Sequence, residues 1–312
     1  MPSMRLDVRR AVLAVVVAAA TVAGAAERAE AAFPGRNGLI AFRGTFDCPV
    51  EQSAIGLIRS DGQDRHKVTG CDDIWYTPDW SPDGASLLYS NRSVIRLVDA
   101  ATLTARDVTR GRAPSFAPDG DHLTYRRAFH DRELWRARVD GSHTRLLRTR
   151  ERFVGPPLWS PGGRTIAYSQ FDVGTWLVSA RTGKRIRRVT GPRLDAFDWS
   201  PDGRRLLCGR RAAEGGYDEL YLVRADGKGT PRRVTHTPRR AETNAAWSPD
   251  GRRLVVLVST FPKPGYFRRT MVTMSTTGTH RQSLWRTPLL RVDAAVPETI
   301  NLPQSVRWQP LP

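Results

Sequence analysis

A five-residue phrase that keeps returning constrains the fold more than any other feature of the chain. Trp80-Ser81-Pro82-Asp83-Gly84 comes back as Phe116-Ala117-Pro118-Asp119-Gly120 and then as Trp159-Ser160-Pro161-Gly162-Gly163. Further copies occupy residues 199–203 and 247–251, and Trp308-Gln309-Pro310 is a truncated echo near the C-terminus. The spacing runs from 36 residues, Trp80 to Phe116, to 61 residues, Trp247 to Trp308, the longest reflecting an inserted loop. Pro fixes φ, Asp bonds nearby backbone and Gly accepts positive φ, so each copy spells a tight turn. Apolar triplets follow the turns, at residues 87–89, 123–125, 166–168, 206–208 and 254–256, and read as strands. After a variable loop a second strand appears, at residues 95–98, 134–139, 176–178, 220–223 and 271–274. Another turn, with Asp140-Gly141 and Asp226-Gly227 as its clearest cases, leads to a strand ending Val-Thr at 108–109, 189–190 and 234–235.

With the residues before each Trp counted as an opening strand, the unit is a four-stranded meander. Such a unit cannot bury both faces alone, so the units must stack. Radial stacking of four-stranded units of about 40 residues gives a β-propeller. Helix-period patterning is absent beyond the N-terminal segment, which excludes a helical solenoid. The fold class is therefore all-β, a six-bladed β-propeller of four-stranded antiparallel blades. The first unit begins at Asn37-Gly38-Leu39-Ile40-Ala41-Phe42 without an opening strand, whereas Ser305-Val306-Arg307-Trp308 is an opening strand with no unit after it. The C-terminal strand is predicted to pair into the first blade, closing the ring and hiding two sheet edges.

These copies resemble the TolB-like propeller family, with its WD40-like W-S-P-D-G repeat. The segment Phe33-Pro34-Gly35-Arg36-Asn37-Gly38-Leu39-Ile40-Ala41-Phe42 also resembles the usual start of secreted members. The resemblance spans essentially all of residues 32–312. It implies an exported propeller and departs from TolB itself in leaving almost no room for an N-terminal α/β domain before the first blade. The wider group includes protein-binding scaffolds, enzymes and the non-catalytic domains of peptidases, so fold alone does not choose a function.

The recurring residues read as structural: Trp80, Phe116, Trp159, Trp199, Trp247 and Trp308 pack between blades, and Asp83, Gly84, Asp119, Gly120, Gly163, Asp202, Gly203, Asp250 and Gly251 make turns. Function is expected in the loops that differ between blades. One set lies between the second and third strands of a blade and the other joins successive blades, and both fall on one face. Candidate binding residues there are Trp75, Tyr76, Arg112, Phe129, Phe171, Arg193, Tyr217, Arg240, Phe261 and Tyr266. Aromatic and Arg side chains on one rim suit recognition of a protein or glycan.

Catalysis has weaker support. The six histidines share no metal-ligand spacing, only His130 and His236 fall in the candidate loops, and no Gly-x-Ser-x-Gly elbow is present. A propeller-type lyase or hydrolase would have to gather acids from separate loops, such as Asp72, Asp73, Asp195, Glu214, Asp218 and Glu242. No catalytic residue, metal site or cofactor is predicted.

Residues 1–31 read as a signal peptide. A basic head of Arg5, Arg9 and Arg10 precedes an apolar run from residue 11 to 26, and A-x-A-type sites allow cleavage after Ala25 or Ala31. The run is short against the ~20 residues of a membrane span, a retained anchor being the alternative. Export permits a disulfide. Cys48 and Cys71 lie in early loops and are paired, whereas Cys208 sits in an apolar run as a small buried hydrophobe.

The formal net charge of +18 rests on 49 Lys+Arg, of which only Lys67, Lys184, Lys228 and Lys263 are lysine. Such an Arg excess follows either from a GC-rich genome or from attraction to a polyanion. Nucleic acid is a poor partner for an exported protein, and an anionic cell-wall polymer is the better version of that idea. The sequence thus predicts a monomeric, non-catalytic scaffold, periplasmic, wall-bound or extracellular, with an unidentified envelope or extracellular protein as its leading partner class.

Overall fold

In the computed structural model the described residues are 35–49, 52–74, 76–127, 132–149, 151–210, 218–237, 240–263, 265–291 and 305–312. Residues 1–31, read as the signal peptide, lie outside them. The described residues form six antiparallel sheets and contain no helix, hence none long and apolar enough to cross a membrane.

Blade 1 opens with β1 (Arg36–Gly44), β2 (Ala54–Ile58) and β3 (His66–Lys67). Blade 2 holds β4 (Asp79–Trp80), β5 (Ser86–Asn91), β6 (Val94–Asp99) and β7 (Ala105–Arg110). Blade 3 holds β8 (Arg112–Phe116), β9 (His122–Arg126), β10 (Leu134–Arg138) and β11 (Arg145–Arg148). In blade 4 come β12 (Phe153–Trp159), β13 (Thr165–Gln170), β14 (Gly174–Ser179) and β15 (Arg185–Arg188). In blade 5 come β16 (Leu194–Trp199), β17 (Arg205–Arg210), β18 (Glu219–Arg224) and β19 (Arg232–Arg233). Blade 6 has β20 (Arg240–Trp247), β21 (Arg253–Thr260), β22 (Tyr266–Ser275) and β23 (Gln282–Arg286), with β24 (Leu290–Arg291) added beside β22. The last strand, β25 (Ser305–Leu311), returns to blade 1 and pairs with β1, setting Trp308 opposite Ile40 and Val306 opposite Phe42.

The alternation of strand side chains explains why the blades stack. Consecutive residues of each second strand point into different inter-blade cores. Leu87 joins the core shared by blades 1 and 2, whereas Leu88 joins that of blades 2 and 3. Leu206 and Leu207 divide between the two sides of blade 5 in the same way, as do Leu254 and Val255 in blade 6. The repeating aromatics fill six such cores, one per junction: Trp80, Phe116, Trp159, Trp199, Trp247 and, at the closure, Trp308. Burying a side chain of this size stabilises by roughly 1.5–3 kcal/mol. Two of the indoles also reach across the junction: Trp159 Nε1 donates to Thr124 Oγ1 at 2.9 Å and Trp199 Nε1 to the Leu158 carbonyl at 3.1 Å.

The turns carry a hydrogen-bond pattern in which the Ser of the repeat matters as much as the Asp. In blade 5 Ser200 Oγ donates to Asp202 Oδ1 at 2.6 Å and accepts the Arg205 N–H at 2.9 Å, while Asp202 takes the Arg204 N–H. Blades 2 and 6 repeat this through Ser81–Asp83 and Ser248–Asp250. In blade 3 Ala117 offers no hydroxyl, and Asp119 instead accepts the N–H groups of both Asp121 and His122. Blade 4 lacks the carboxylate because Gly162 stands in its place, and Ser160 alone holds the turn. The turn glycines have φ near +70°, as at Gly84 and Gly203, which a side chain tolerates poorly.

Side-chain bonds seal the ring on both sides of blade 1. Gln309 accepts the Leu39 N–H at 2.8 Å and donates to the Gly84 carbonyl of the blade 2 turn at 2.7 Å. On the other side Asn37 Nδ2 donates to Asp250 in the blade 6 turn at 3.0 Å. Cys48 and Cys71 form a disulfide with a Cα–Cα distance of 5.3 Å, clipping the loop after β1 to the crossing into blade 2. Cys208 is fully buried, and burial pushes its thiol well above the ordinary range, so it stays a packed, unreactive group.

Candidate functional site at the channel mouth

The innermost strands of all six blades surround the ring axis, and the residue just before each aromatic is equivalent in the repeat. Around the ring these are Arg307, Asp79, Ser115, Leu158, Asp198 and Ala246. Two acids and one arginine are thereby brought into one buried layer. Asp79 accepts the Phe116 N–H at 2.8 Å and the Ser115 hydroxyl at 3.0 Å, and Arg307 Nε lies 3.6 Å from it. Asp198 accepts the Trp247 N–H at 2.8 Å. Each acid therefore ties its own blade to the next. Burial raises both carboxyls and outweighs the attraction of Arg307 and the N–H donors, with Asp198 pushed up to about 6.

Toward the loop-bearing end this layer opens into a cavity of ≈ 140 Å³. Five blades line it: Arg43, Ser305 and Arg307 from blade 1, Tyr76 and Thr77 at the entry to blade 2, residues 154–156 from blade 4, residues 195–197 from blade 5 and Asn244 from blade 6. The local cause is a register shift in the inner strands a few residues before the aromatic, between Val154 and Leu158, Ala196 and Asp198, and Glu242 and Asn244. These irregularities re-aim side chains from the sheet toward the axis. Burial and the nearby Arg269 lower the Arg43 guanidinium to about 10. It donates to the Ile74 carbonyl, while its Nε and the Ser305 Oγ are buried without a hydrogen-bond partner among the described residues. Tyr76 borders the cavity under Arg126, whose guanidinium lies 4.7 Å from the ring and donates to its hydroxyl.

The other predicted loop residues fall in several places. Trp75, Phe129 and Tyr217 lie outside the described residues. Phe171 is exposed in the β13–β14 loop with Arg152 5.0 Å from its ring, and Arg193 is exposed in the crossing into blade 5 with φ +67°. Tyr266 begins β22, with Lys263 Nζ 4.0 Å from its ring. Arg240 and Phe261 line a separate cleft on blade 6. Arg112, placed by sequence in a loop, instead starts β8 and donates to the Arg92 carbonyl at 2.9 Å. The crossing shrinks to Gly111 because the inner strand starts directly after it.

The acids proposed for catalysis separate likewise. Asp72 and Asp73 engage Asn91 and Arg92 at the blade 1–blade 2 boundary, and Asp195 lies on β16 at the channel. Glu214 lies outside the described residues. Glu242 belongs to β20 rather than to a loop, fully buried with the Thr235 and Thr237 hydroxyls donating to it, and its backbone N–H donates to the Asp218 carbonyl. Among the described histidines, His66 and His122 at strand starts and His143 and His280 in turns each bond within three residues of themselves, and His236 is exposed. Among the described residues, the grouping of acids, His or Cys at metal-ligand distances is Asp47 with Cys48 and Cys71, and its two sulfurs are consumed by the disulfide. Sequence reasoning missed Arg43, Asp79, Asp198, Ser305 and Arg307, which lie on strands outside the variable loops.

Fold and closure define a six-bladed β-propeller whose first and last described strands are sewn into one blade, with an axial cavity open toward the variable loops. No family model matches the chain, and no curated protein matches it in sequence. Among solved structures it is similar to TolB from Acinetobacter baumannii, with 22% identity over 89% of this chain and 68% of that one and a TM-score of 0.67. It is also similar to an oligogalacturonate lyase in complex with manganese, at 19% identity over 78% of this chain and 72% of that one, with a TM-score of 0.53. The oligogalacturonate lyase from Vibrio parahaemolyticus gives 13% identity over 81% of this chain and 77% of that one, also at 0.53. The fold is thus the TolB-like six-bladed propeller. At these identities the likeness is one of fold.

Proposed function

We propose that the protein is an exported, non-catalytic binding propeller, a scaffold that receives a protein partner over its channel mouth. The observation that carries this reading is the cavity itself: five blades converge on it, and buried donors of Arg43 and Ser305 face it without a partner in the chain's described residues. Polar groups held in place before a ligand arrives lower the cost of binding one. Tyr76, Phe171 and Arg193 extend the same face outward as aromatic and cationic anchors. Export is supported by the basic, apolar and small-residue order of residues 1–31 and by the Cys48–Cys71 disulfide. The non-catalytic reading is supported by the dispersal of the described histidines and of the loop acids around the ring.

The mature protein, immobilised and exposed to envelope extract, is expected to retain a discrete protein through a high-salt wash. Arg43→Gln and, separately, the exposed-site change Arg193→Gln should weaken that retention while leaving the thermal transition close to wild type. Material that is lost completely on raising the salt, or retained equally by both variants, contradicts the channel-mouth reading.

A further inference from the structure

Blade 6 is longer than its neighbours. Its middle strands β21 and β22 have 8 and 10 residues, against 6 each for β17 and β18 of blade 5. One face of this sheet packs on blade 5 through Leu254, Val256, Val258, Val272 and Met274. The strands then continue past that core toward the loop-bearing end, and the same face changes character. Alternation and register place Arg240, Thr260 and Arg268 side by side in one cross-strand row, and Glu242, Val258, Thr270 and Arg286 in the next. Strands lie about 4.8 Å apart and alternate residues about 7 Å apart, so the guanidinium stems spread over an area rather than meeting at a point.

All of these except Glu242, together with Arg281, Ser283 and Phe261, line a cleft of ≈ 480 Å³, within the range of small-molecule and oligomer sites. Among the described residues, Arg240, Arg268 and Arg286 have no acidic partner, and Arg268 Nε is buried without a hydrogen bond. Among the described residues the acid paired with this cluster is Glu242, whose carboxylate lies 3.8 Å from Arg281 and is already engaged by Thr235 and Thr237. Burial raises that carboxyl, which weakens its compensation of the cluster. Among the described residues, four arginines therefore stand against one occupied acid.

We infer that this cleft binds an acidic glycan, a chain of carboxylate-bearing sugar units, on the flank of blade 6. The spread of the charges matches a polymer with one negative group per unit better than a single compact anion. Between the arginines the hydroxyls of Thr260, Thr270 and Ser283 offer partners for sugar hydroxyls, and Phe261 offers an apolar wall. Guanidinium–carboxylate pairing supplies the strong, directional contacts. The site is separate from the channel mouth and stands whether or not that mouth holds a protein.

Calorimetric titration of the mature protein with trigalacturonate tests this, with maltotriose and tripolyphosphate as comparison ligands. Trigalacturonate is expected to bind, and its affinity to fall about tenfold or more as salt is raised. The double change Arg240→Gln and Arg286→Gln, both at exposed positions, should weaken binding about tenfold or more, whereas Arg204→Gln with Arg205→Gln at the opposite end of the ring should not. Absence of trigalacturonate binding, equal binding of maltotriose, tighter binding of tripolyphosphate, or indifference to the blade 6 pair would each overturn the assignment. Arg43→Gln separates the two sites: it should leave trigalacturonate binding unchanged.

Discussion

At one end of the ring one turn design returns, complete in three blades and trimmed in two; at the other the connections share little. The turn end uses Ser and Asp to hold the strand pair in blades 2, 5 and 6, with Gly at positive φ in each. The loop end carries a disulfide at the blade 1–blade 2 boundary, an exposed Phe171 in blade 4 and an arginine-lined overhang in blade 6. Repetition marks what every blade needs in order to stack, and departure from it marks what is available for recognition. The channel joins the two, because its acids serve as staples between blades while its upper rim is polar and open.

Breaking the repeated part should cost the most. Trp199→Ala empties the blade 4–blade 5 core and is expected to destabilise by about 3–5 kcal/mol in denaturant unfolding. A comparable change on the loop face, Phe171→Ala, should stay within about 0.5 kcal/mol. Replacing Cys48 and Cys71 with Ser opens the clip between blades 1 and 2 and should cost roughly 3 kcal/mol, read as a lower midpoint that reductant reproduces in the wild type.

The buried acids sharpen the comparison through pH. The Asp198 carboxyl titrates near 6 in the folded protein against an ordinary 3.8, so the folded state keeps a proton that the unfolded chain releases. Stability contributed this way is complete below about pH 4 and is lost as pH rises to about 6, by an amount on the order of 2–3 kcal/mol. Asp79 acts in the same direction, so Asp198→Asn, which keeps an acceptor for the Trp247 N–H, should reduce the slope without abolishing it. At the turn end Gly203→Ala forces a side chain into φ +65° and should cost about 1 kcal/mol, less than the core, disulfide and pH effects.

How much of this was legible in the sequence follows the same division. The blade count, the strand order and the closure by residues 305–308 could be read because Trp and Pro-Asp-Gly recur with little disguise. The pairing of Cys48 with Cys71 followed from their common loop setting. The channel layer was hidden: Asp79, Asp198 and Arg307 are scattered over more than 200 residues and look like polar residues on ordinary strands until the ring gathers them. The blade 6 cluster was half visible. Arg240 and Phe261 stood out as loop residues, but Arg268 and Arg286 join them only through a cross-strand register that composition does not encode. Arg112 and Glu242 look like loop residues in the sequence because the inner strands begin directly at the blade crossings, without turn residues to mark the boundary.

In the proposed division, recognition belongs to the loop-bearing end and architecture to the turn end. Hydrogen exchange of the mature protein, free and with the partner retained from envelope extract, tests it most directly. New protection is expected at residues 43–48, 71–77 and 193–197, with the turns at 81–85, 200–204 and 248–252 unchanged. Protection confined to those turns would contradict it.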